Sequence, residues 1–239
     1  MRISVVIPTR NEAGSIARVL RDIPRPPVTD VVVVDGESTD GTAAIAAANG
    51  ARVVNEVRRG YGRACLTGID AVSPSDIIVF LDGDYSDRPG ELPTLIDPIL
   101  RGRADIVVGS RLAGKRAAGA LPLHSIAGNW TAARLIRLMY GVKLTDLGPF
   151  RAARGAVVRE LDLRETSYGW AVEMILRGAM AGKRIVEVPV SYHPRIGQSK
   201  ITGTVAGSLG AAWCIFSRIF QYRWRRSSRS GAAVRDARS

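Results

Sequence analysis

Five short apolar runs constrain this chain more than any other feature: residues 3 to 8, 30 to 35, 51 to 55, 76 to 81 and 104 to 109, with helix-like stretches between them. Strands that alternate with helices need crossover connections. The pattern therefore predicts an α/β fold, a mostly parallel central sheet flanked by helices. In such sheets ligands bind beyond the carboxyl ends of the strands. Three polar clusters fall at such ends, Pro8 to Glu12, Asp35 to Asp40 and Asp82 to Asp87, and are expected to converge on one edge.

After residue 110 the alternation weakens. The stretch from 112 to 124, with Gly114, Gly119 and Pro122, reads as a mobile loop. Helices are expected near 127 to 140, 154 to 161 and 169 to 181, and a short late strand over Ile185 to Val190. Ala-rich 42 to 48 reads as a helix capped by Asp40, and the Pro26-Pro27 pair and Pro74 punctuate loops. With 239 residues, 46% of them apolar and 23% charged, the chain suits one large domain with a packed core. The run Arg2 to Ile7 follows Met1 without a readable signal peptide, so a cytoplasmic protein is expected. Cys65 and Cys214 have no companions at zinc spacing and read as buried small apolar residues. His124 and His193 give no metal-site spacing either.

The net charge is +12, but residues 223 to 239 hold six arginines against one aspartate, so +5 of it sits in a tail. That weakens the case for a basic nucleic-acid groove, and no nucleic acid partner is expected. From 202 to 222 the pattern is an amphipathic helix with Val205, Leu209, Trp213, Phe216, Ile219 and Phe220 in one stripe. Ser208, Ser217, Arg218 and Gln221 interrupt it, so no run approaches the roughly 20 apolar residues needed to span a bilayer. Two readings stay open. The helix lies in a membrane interface with Tyr222, Trp224 and the arginines at the surface, or it docks on the domain and leaves a solvated basic tail. The expected organisation is a main domain over 1 to 201, the helix over 202 to 222 and a disordered tail over 223 to 239.

Chemistry is expected at Asp82-Gly83-Asp84, after the apolar run Ile77 to Leu81. Carboxylates at i and i+2 on an extended chain point to one side, and the intervening glycine lets a ligand approach the backbone. Two hard oxygen donors on one side suit Mg²⁺ or Mn²⁺ bridging substrate phosphates; a solvated turn with side-chain caps is the plainer alternative. Asp35 could accept from a base N–H, and Glu12 could bond a ribose hydroxyl or merely favour a helix N-terminus. Trp170 stacks on a sugar or packs, and packing is the simpler expectation.

Six segments in register resemble a known family: Val5-Val6-Ile7-Pro8-Thr9-Arg10-Asn11-Glu12, Val33 to Thr42, Phe80-Leu81-Asp82-Gly83-Asp84, Gly109-Ser110-Arg111, Asp146 to Ala152, and Arg195-Ile196-Gly197-Gln198-Ser199-Lys200. Together they resemble family 2 glycosyltransferases of the GT-A fold, and within them the dolichyl- and polyprenyl-phosphate mannose or glucose synthases. The resemblance implies a nucleoside-diphosphate sugar as donor and a polyprenyl phosphate as acceptor. Related chains with two or four C-terminal transmembrane helices are common and no such helix is read here, so any membrane contact is expected to be peripheral, through the 202 to 222 helix and the arginines after it. By position it implies nucleoside contacts at Pro8, Arg10, Glu12 and Asp35, a metal at Asp82 and Asp84 with Gly83 between them, and donor or acceptor phosphate contacts at Arg111, Arg151, Arg195 and Lys200. Asp146 and Glu173 match acidic positions near the transferred sugar. Gly36 departs from the family, where many relatives have a second acid, and leaves base recognition open.

The expected reaction is an inverting transfer in which an acceptor oxygen attacks the anomeric carbon while the metal and basic residues stabilise the departing diphosphate. A phosphate acceptor is already anionic and needs no strong base. A hydroxyl acceptor would make Asp146 or Glu173 a base candidate. The rivals are the same donor chemistry on a soluble acceptor, and a nucleotidyltransferase that releases inorganic diphosphate.

Overall fold

The computed structural model describes residues 1–197, 210 and 213–224. Seven strands, β1 (Ile3–Thr9), β2 (Asp30–Asp35), β3 (Arg52–Asn55), β4 (Ile77–Phe80), β5 (Ile106–Ser110), β6 (Arg151–Arg154) and β7 (Ile185–Pro189), form one sheet in the order β3-β2-β1-β4-β6-β5-β7. All run the same way except β6, which is antiparallel to both β4 and β5. Order reverses between β1, whose successors β2 and β3 lie on one side, and β4 on the other. That switch point is where a crevice opens beyond the carboxyl ends.

Both faces of the sheet are covered, which is why its strands read as unbroken apolar runs. Ile3, Val5, Ile7, Val31, Val33, Ile77 and Val79 face one core, closed by helices α1 (Ile16–Asp22), α2 (Thr42–Ala48) and α4 (Leu92–Leu100). Val6, Val32, Val34, Ile78 and Phe80 face the other, closed by α3 (Tyr61–Ala71), α6 (Gly155–Glu160) and α7 (Trp170–Met180). Each such fully buried side chain contributes about 1.5–3 kcal/mol. A third cluster joins Val108 to α5 (Leu123–Tyr140), α7 and the helical residues 213–224.

The five early strands lie where the apolar runs place them. β6 was not expected: Arg-Ala-Ala-Arg carries none of the β-branched or aromatic residues that mark strands, and it is held between two strands that supply the packing. Helix α5 begins at Leu123, four residues before the expected start, so the irregular stretch is shorter. It is also pinned rather than loose. Ala117 donates to the Tyr192 carbonyl at 2.9 Å and Tyr192 donates to the Lys115 carbonyl at 2.9 Å.

At the C-terminus, residues 213–224 are helical and docked. Ile219 is fully buried, Phe216 packs beside it, and the Tyr140 hydroxyl donates to the Ile219 carbonyl at 2.6 Å. The expected single stripe is thus split, because Trp213 and Phe220 point outward and are 77% and 55% exposed. No helix among the described residues is long and apolar enough to cross a membrane. Val205 and Leu209, and the tail from 225 onward, lie outside the described residues. Cys65 is buried as expected, whereas Cys214 is half-buried and 3.2 Å from the Ser167 hydroxyl.

Candidate active site

The exits of β1 and β2 are stitched into one unit. Asn11, at a positive φ of 51°, accepts from the Thr39 N–H at 2.8 Å, and its own N–H donates to the Ser38 hydroxyl at 2.8 Å. The Glu12 N–H donates to the Thr42 hydroxyl, and Asp40 accepts from the Ala13 and Thr42 N–H groups. Asp40 thus serves the start of α2 as expected, although the cap position itself is Gly41 at φ +88°. Asp35 is buried and accepts from the Ser38 N–H at 2.9 Å and hydroxyl at 2.5 Å. Pro8 and Arg10 are half-buried at the same exit, with the Arg10 stem lying over Gly36.

Beyond β4 comes Asp82-Gly83-Asp84. Asp82 is half-buried and accepts from the Tyr61 hydroxyl at 3.1 Å. Asp84 is buried, accepts from the Ser86 N–H and hydroxyl at 2.9 and 2.6 Å, and lies 3.5 Å from the Arg195 guanidinium. Arg195 also donates to Glu12 at 2.9 Å, so one cation bridges the ends of β1 and β4. Gly83 has a packing reason of its own. A Cβ there would sit 2.7 Å from the Thr9 γ-methyl, and the Gly83 carbonyl accepts from the Ser15 hydroxyl at 2.7 Å. Glycine permits the two strand ends to pack together.

Arg111 and Asp146 form a closed pair. The guanidinium donates to both carboxylate oxygens at 2.7 and 2.8 Å, and the Arg111 N–H adds a third bond at 2.9 Å. Burial opposes ionisation of Asp146, but the charge and hydrogen bonds of Arg111 outweigh it and hold the carboxyl below its usual range. The Arg111 guanidinium lies over the Tyr192 ring, 5.0 Å from its centre.

Three sequence expectations need correcting. Asp146 is fully buried and committed to Arg111, so its carboxylate is not open to a sugar hydroxyl as a base would have to be. Glu173 is also fully buried; it accepts from the Arg164 and Glu165 N–H groups at 3.0 and 2.7 Å, from Arg177 and from the Tyr222 hydroxyl. It anchors the 164–165 turn and the C-terminal helix to α7. Arg151 is fully buried with its Nη atoms on the carbonyls of Ala171, Leu147 and Gly148, so its fork is already taken. Trp170 packs, as expected, against Phe80 with ring centres 4.7 Å apart. Lys200 lies outside the described residues.

Asp87 was missed as a separate group, although it closes the acidic cluster read from the sequence. It is 1% exposed, and neither carboxylate oxygen has a hydrogen-bond partner among the described residues. Burial and then the neighbouring Asp82 push its carboxyl well above the usual range. Burial and then Asp84 likewise push Asp82 up to about 7. Burial is the larger cause in both, and the crowding of like charges at Asp82, Asp84 and Asp87 adds to it. A divalent cation held between these carboxylates would relieve that repulsion. Among the described residues no group of three or more His, Cys, Asp or Glu side chains is gathered tightly enough to hold a metal. Two carboxylates plus substrate oxygens are the donor set that suits Mg²⁺ or Mn²⁺ at a phosphate site.

Comparison with known proteins agrees with this geometry. Residues 4–165 match the model of glycosyl transferase family 2. The undecaprenyl-phosphate mannosyltransferase of Micrococcus luteus is 34% identical over 87% of this chain and 90% of its own. The dolichyl-phosphate hexose transferase of Haloferax volcanii is 35% identical over 86% of this chain and 89% of its own. Among solved structures, glucosyl-3-phosphoglycerate synthase from Mycobacterium tuberculosis, in complex with Mn²⁺, uridine diphosphate and glucosyl-3-phosphoglycerate, superposes with a TM-score of 0.71 at 26% identity. That alignment covers 92% of this chain and 79% of the other, and another structure of the same synthase holds Mg²⁺ with uridine diphosphate.

Proposed function

The chain belongs to glycosyl transferase family 2, and from that premise we propose that it moves a hexose from a nucleoside diphosphate sugar to a polyprenyl phosphate with inversion at the anomeric carbon. The observation that carries the donor half is the Asp82–Asp84 pair, two like charges crowded together at the β1/β4 switch point. The acceptor half is supported by two polyprenyl-phosphate sugar transferases that match nearly the whole chain.

In this reading Asp82 and Asp84 hold Mg²⁺ or Mn²⁺ against the donor diphosphate. An ion held there would supply Lewis-acid charge stabilisation for the departing diphosphate. Pro8, Arg10, Glu12 and Asp35 line the nucleoside side, at the stitched exits of β1 and β2. Arg195 leaves Glu12 and Asp84 for a phosphate oxygen, a move of one flexible side chain whose partners are already in reach. Lys200, five residues on, meets the acceptor phosphate. Arg111 and Arg151 add fixed positive potential from within, with Asp146 keeping Arg111 in place. The acceptor phosphate oxygen forms the new bond to the anomeric carbon as the bond to the diphosphate breaks. That oxygen is already anionic near neutral pH, so no base is required, in keeping with the enclosure of Asp146 and Glu173.

A second reading, transfer to a soluble phosphorylated acceptor, is favoured by the structural likeness to glucosyl-3-phosphoglycerate synthase. One assay separates the two. UDP-glucose and GDP-mannose are each offered with a short-chain polyprenyl phosphate or with 3-phosphoglycerate, in Mn²⁺ or EDTA. Metal-dependent formation of a polyprenyl-phosphate hexose is expected. Product with 3-phosphoglycerate alone would replace the lipid acceptor, and release of inorganic diphosphate would replace glycosyl transfer. Arg195→Ala should slow turnover more than it weakens nucleotide binding; the reverse pattern would move Arg195 to the nucleotide.

A further inference from the structure

Large apolar residues are not scattered over this surface. Six of the ten that are strongly exposed among the described residues lie on α5 and the C-terminal helix: Leu123, Trp130, Leu138, Trp213, Phe220 and Trp224. Three of the chain's four tryptophans are in that set, and the fourth, Trp170, is core. At 3.6 residues per turn, Trp213, Phe220 and Trp224 fall within about 40° of one line along the helix, and Leu123, Trp130 and Leu138 within about 80°. The opposite faces, Ala132 and Ile136 on one helix and Ile215 and Ile219 on the other, close the third core cluster. Both helices therefore turn their inner faces to this one cluster with Val108, Val172 and Ile175, and each carries an outward stripe.

Charge follows the same division. No acidic residue occurs between Arg111 and Asp146 or between Glu187 and Asp236, and these two segments hold five and eight basic residues. The rest of the chain, with 21 basic and 22 acidic residues, is close to neutral, so the whole excess of +12 belongs to the segments bearing the two helices. Arg134 stacks on Trp130, 4.4 Å from its ring centre, and Arg137 and Arg223 are exposed.

We propose that α5 and the C-terminal helix form a composite docking face for an anionic lipid bilayer. Tryptophan beside arginine on a short amphipathic helix suits the headgroup level, where the ring meets acyl chains and the guanidinium meets phosphate. A second copy of this chain is the less suitable occupant, because it would set the exposed Arg134, Arg137 and Arg223 of one copy against those of the other. The proposal rests on the lipid-acceptor reading only for its purpose, since vesicles without acceptor test it alone.

The test uses the full chain with phosphatidylcholine vesicles, with and without phosphatidylglycerol, by co-sedimentation and tryptophan emission. Expected are partition that requires the anionic lipid, release by high salt and a blue shift of emission. Trp130→Ser with Leu138→Ser, leaving the C-terminal helix and tail intact, should weaken partition about tenfold or more. Both side chains are exposed, so thermal melting and transfer to a short-chain acceptor should be unchanged. Wild-type partition by the double variant would overturn the composite face, as would a wild-type protein that stays in the supernatant. A dimer in lipid-free solution that the double variant abolishes would give the face to a second copy. Vesicle binding without any polyprenyl-phosphate product would sink the acceptor reading and leave the docking face standing.

Discussion

Removing the Asp82 charge should stabilise the protein when no metal is bound, and the effect should grow with pH. In the folded chain burial and Asp84 raise the Asp82 carboxyl to about 7, against 3.8 for the free group. The unfolded chain has lost this proton above about pH 5 while the folded chain keeps it to about pH 7. Stability therefore falls with rising pH across that window, by up to about 1.4 kcal/mol per unit. Over two units the limit is about 3 kcal/mol. Partial solvent access at Asp82 reduces this to about 1–2 kcal/mol, or roughly 2–8 °C in melting temperature for a chain of this size. Asp82→Asn has no charge to lose, so in EDTA its melting temperature should pull ahead of wild type between pH 5 and pH 8. Mn²⁺ at pH 8 should raise wild type and leave the variant nearly unmoved. Parallel wild-type and variant curves in EDTA would refute the raised Asp82 carboxyl on which this reasoning rests.

Other substitutions probe neighbouring parts. Asp84→Asn keeps an oxygen for the Ser86 bonds but loses the charge, so turnover should fall about 100-fold or more while melting changes little. Asp146→Ala strands the Arg111 guanidinium in a buried site and should cost about 3–5 kcal/mol, read as a drop of roughly 10 °C in melting temperature. Gly83→Ala should cost about 1–3 kcal/mol through the Thr9 γ-methyl, and Thr9→Ser, which removes that methyl, should recover much of it in the double variant by denaturant melts.

Much of the scaffold was legible because its strands are buried on both faces. Val31 to Val34 and Ile77 to Leu81 are long enough in apolar residues to fix a strand without help from neighbours. β6 was not legible, since its strand state comes from β4 and β5 and not from Arg151 to Arg154. The acids were legible as a cluster and not as roles. Asp84 and Asp146 look alike in sequence, yet one faces Arg195 at the crevice and the other is enclosed by Arg111. Which carboxylate is enclosed depends on a partner 35 residues away, and no local pattern records that. The C-terminal stripe failed similarly: Phe216 and Phe220 have equal hydrophobicity, and only the position of α5 decides which turns inward.

The backbone just before residue 198 is fastened to the acidic loop itself. Ile196 donates to the Asp84 carbonyl at 3.0 Å and His193 to the Ser86 carbonyl at 2.9 Å, while Asp87 and Tyr192 form a β-bridge. Arg195 is consequently anchored through the acidic loop. A chimera that exchanges the segment after Gly197 for that of a relative would keep its seam on a secured backbone, so on the proposed reading the donor site would survive the exchange.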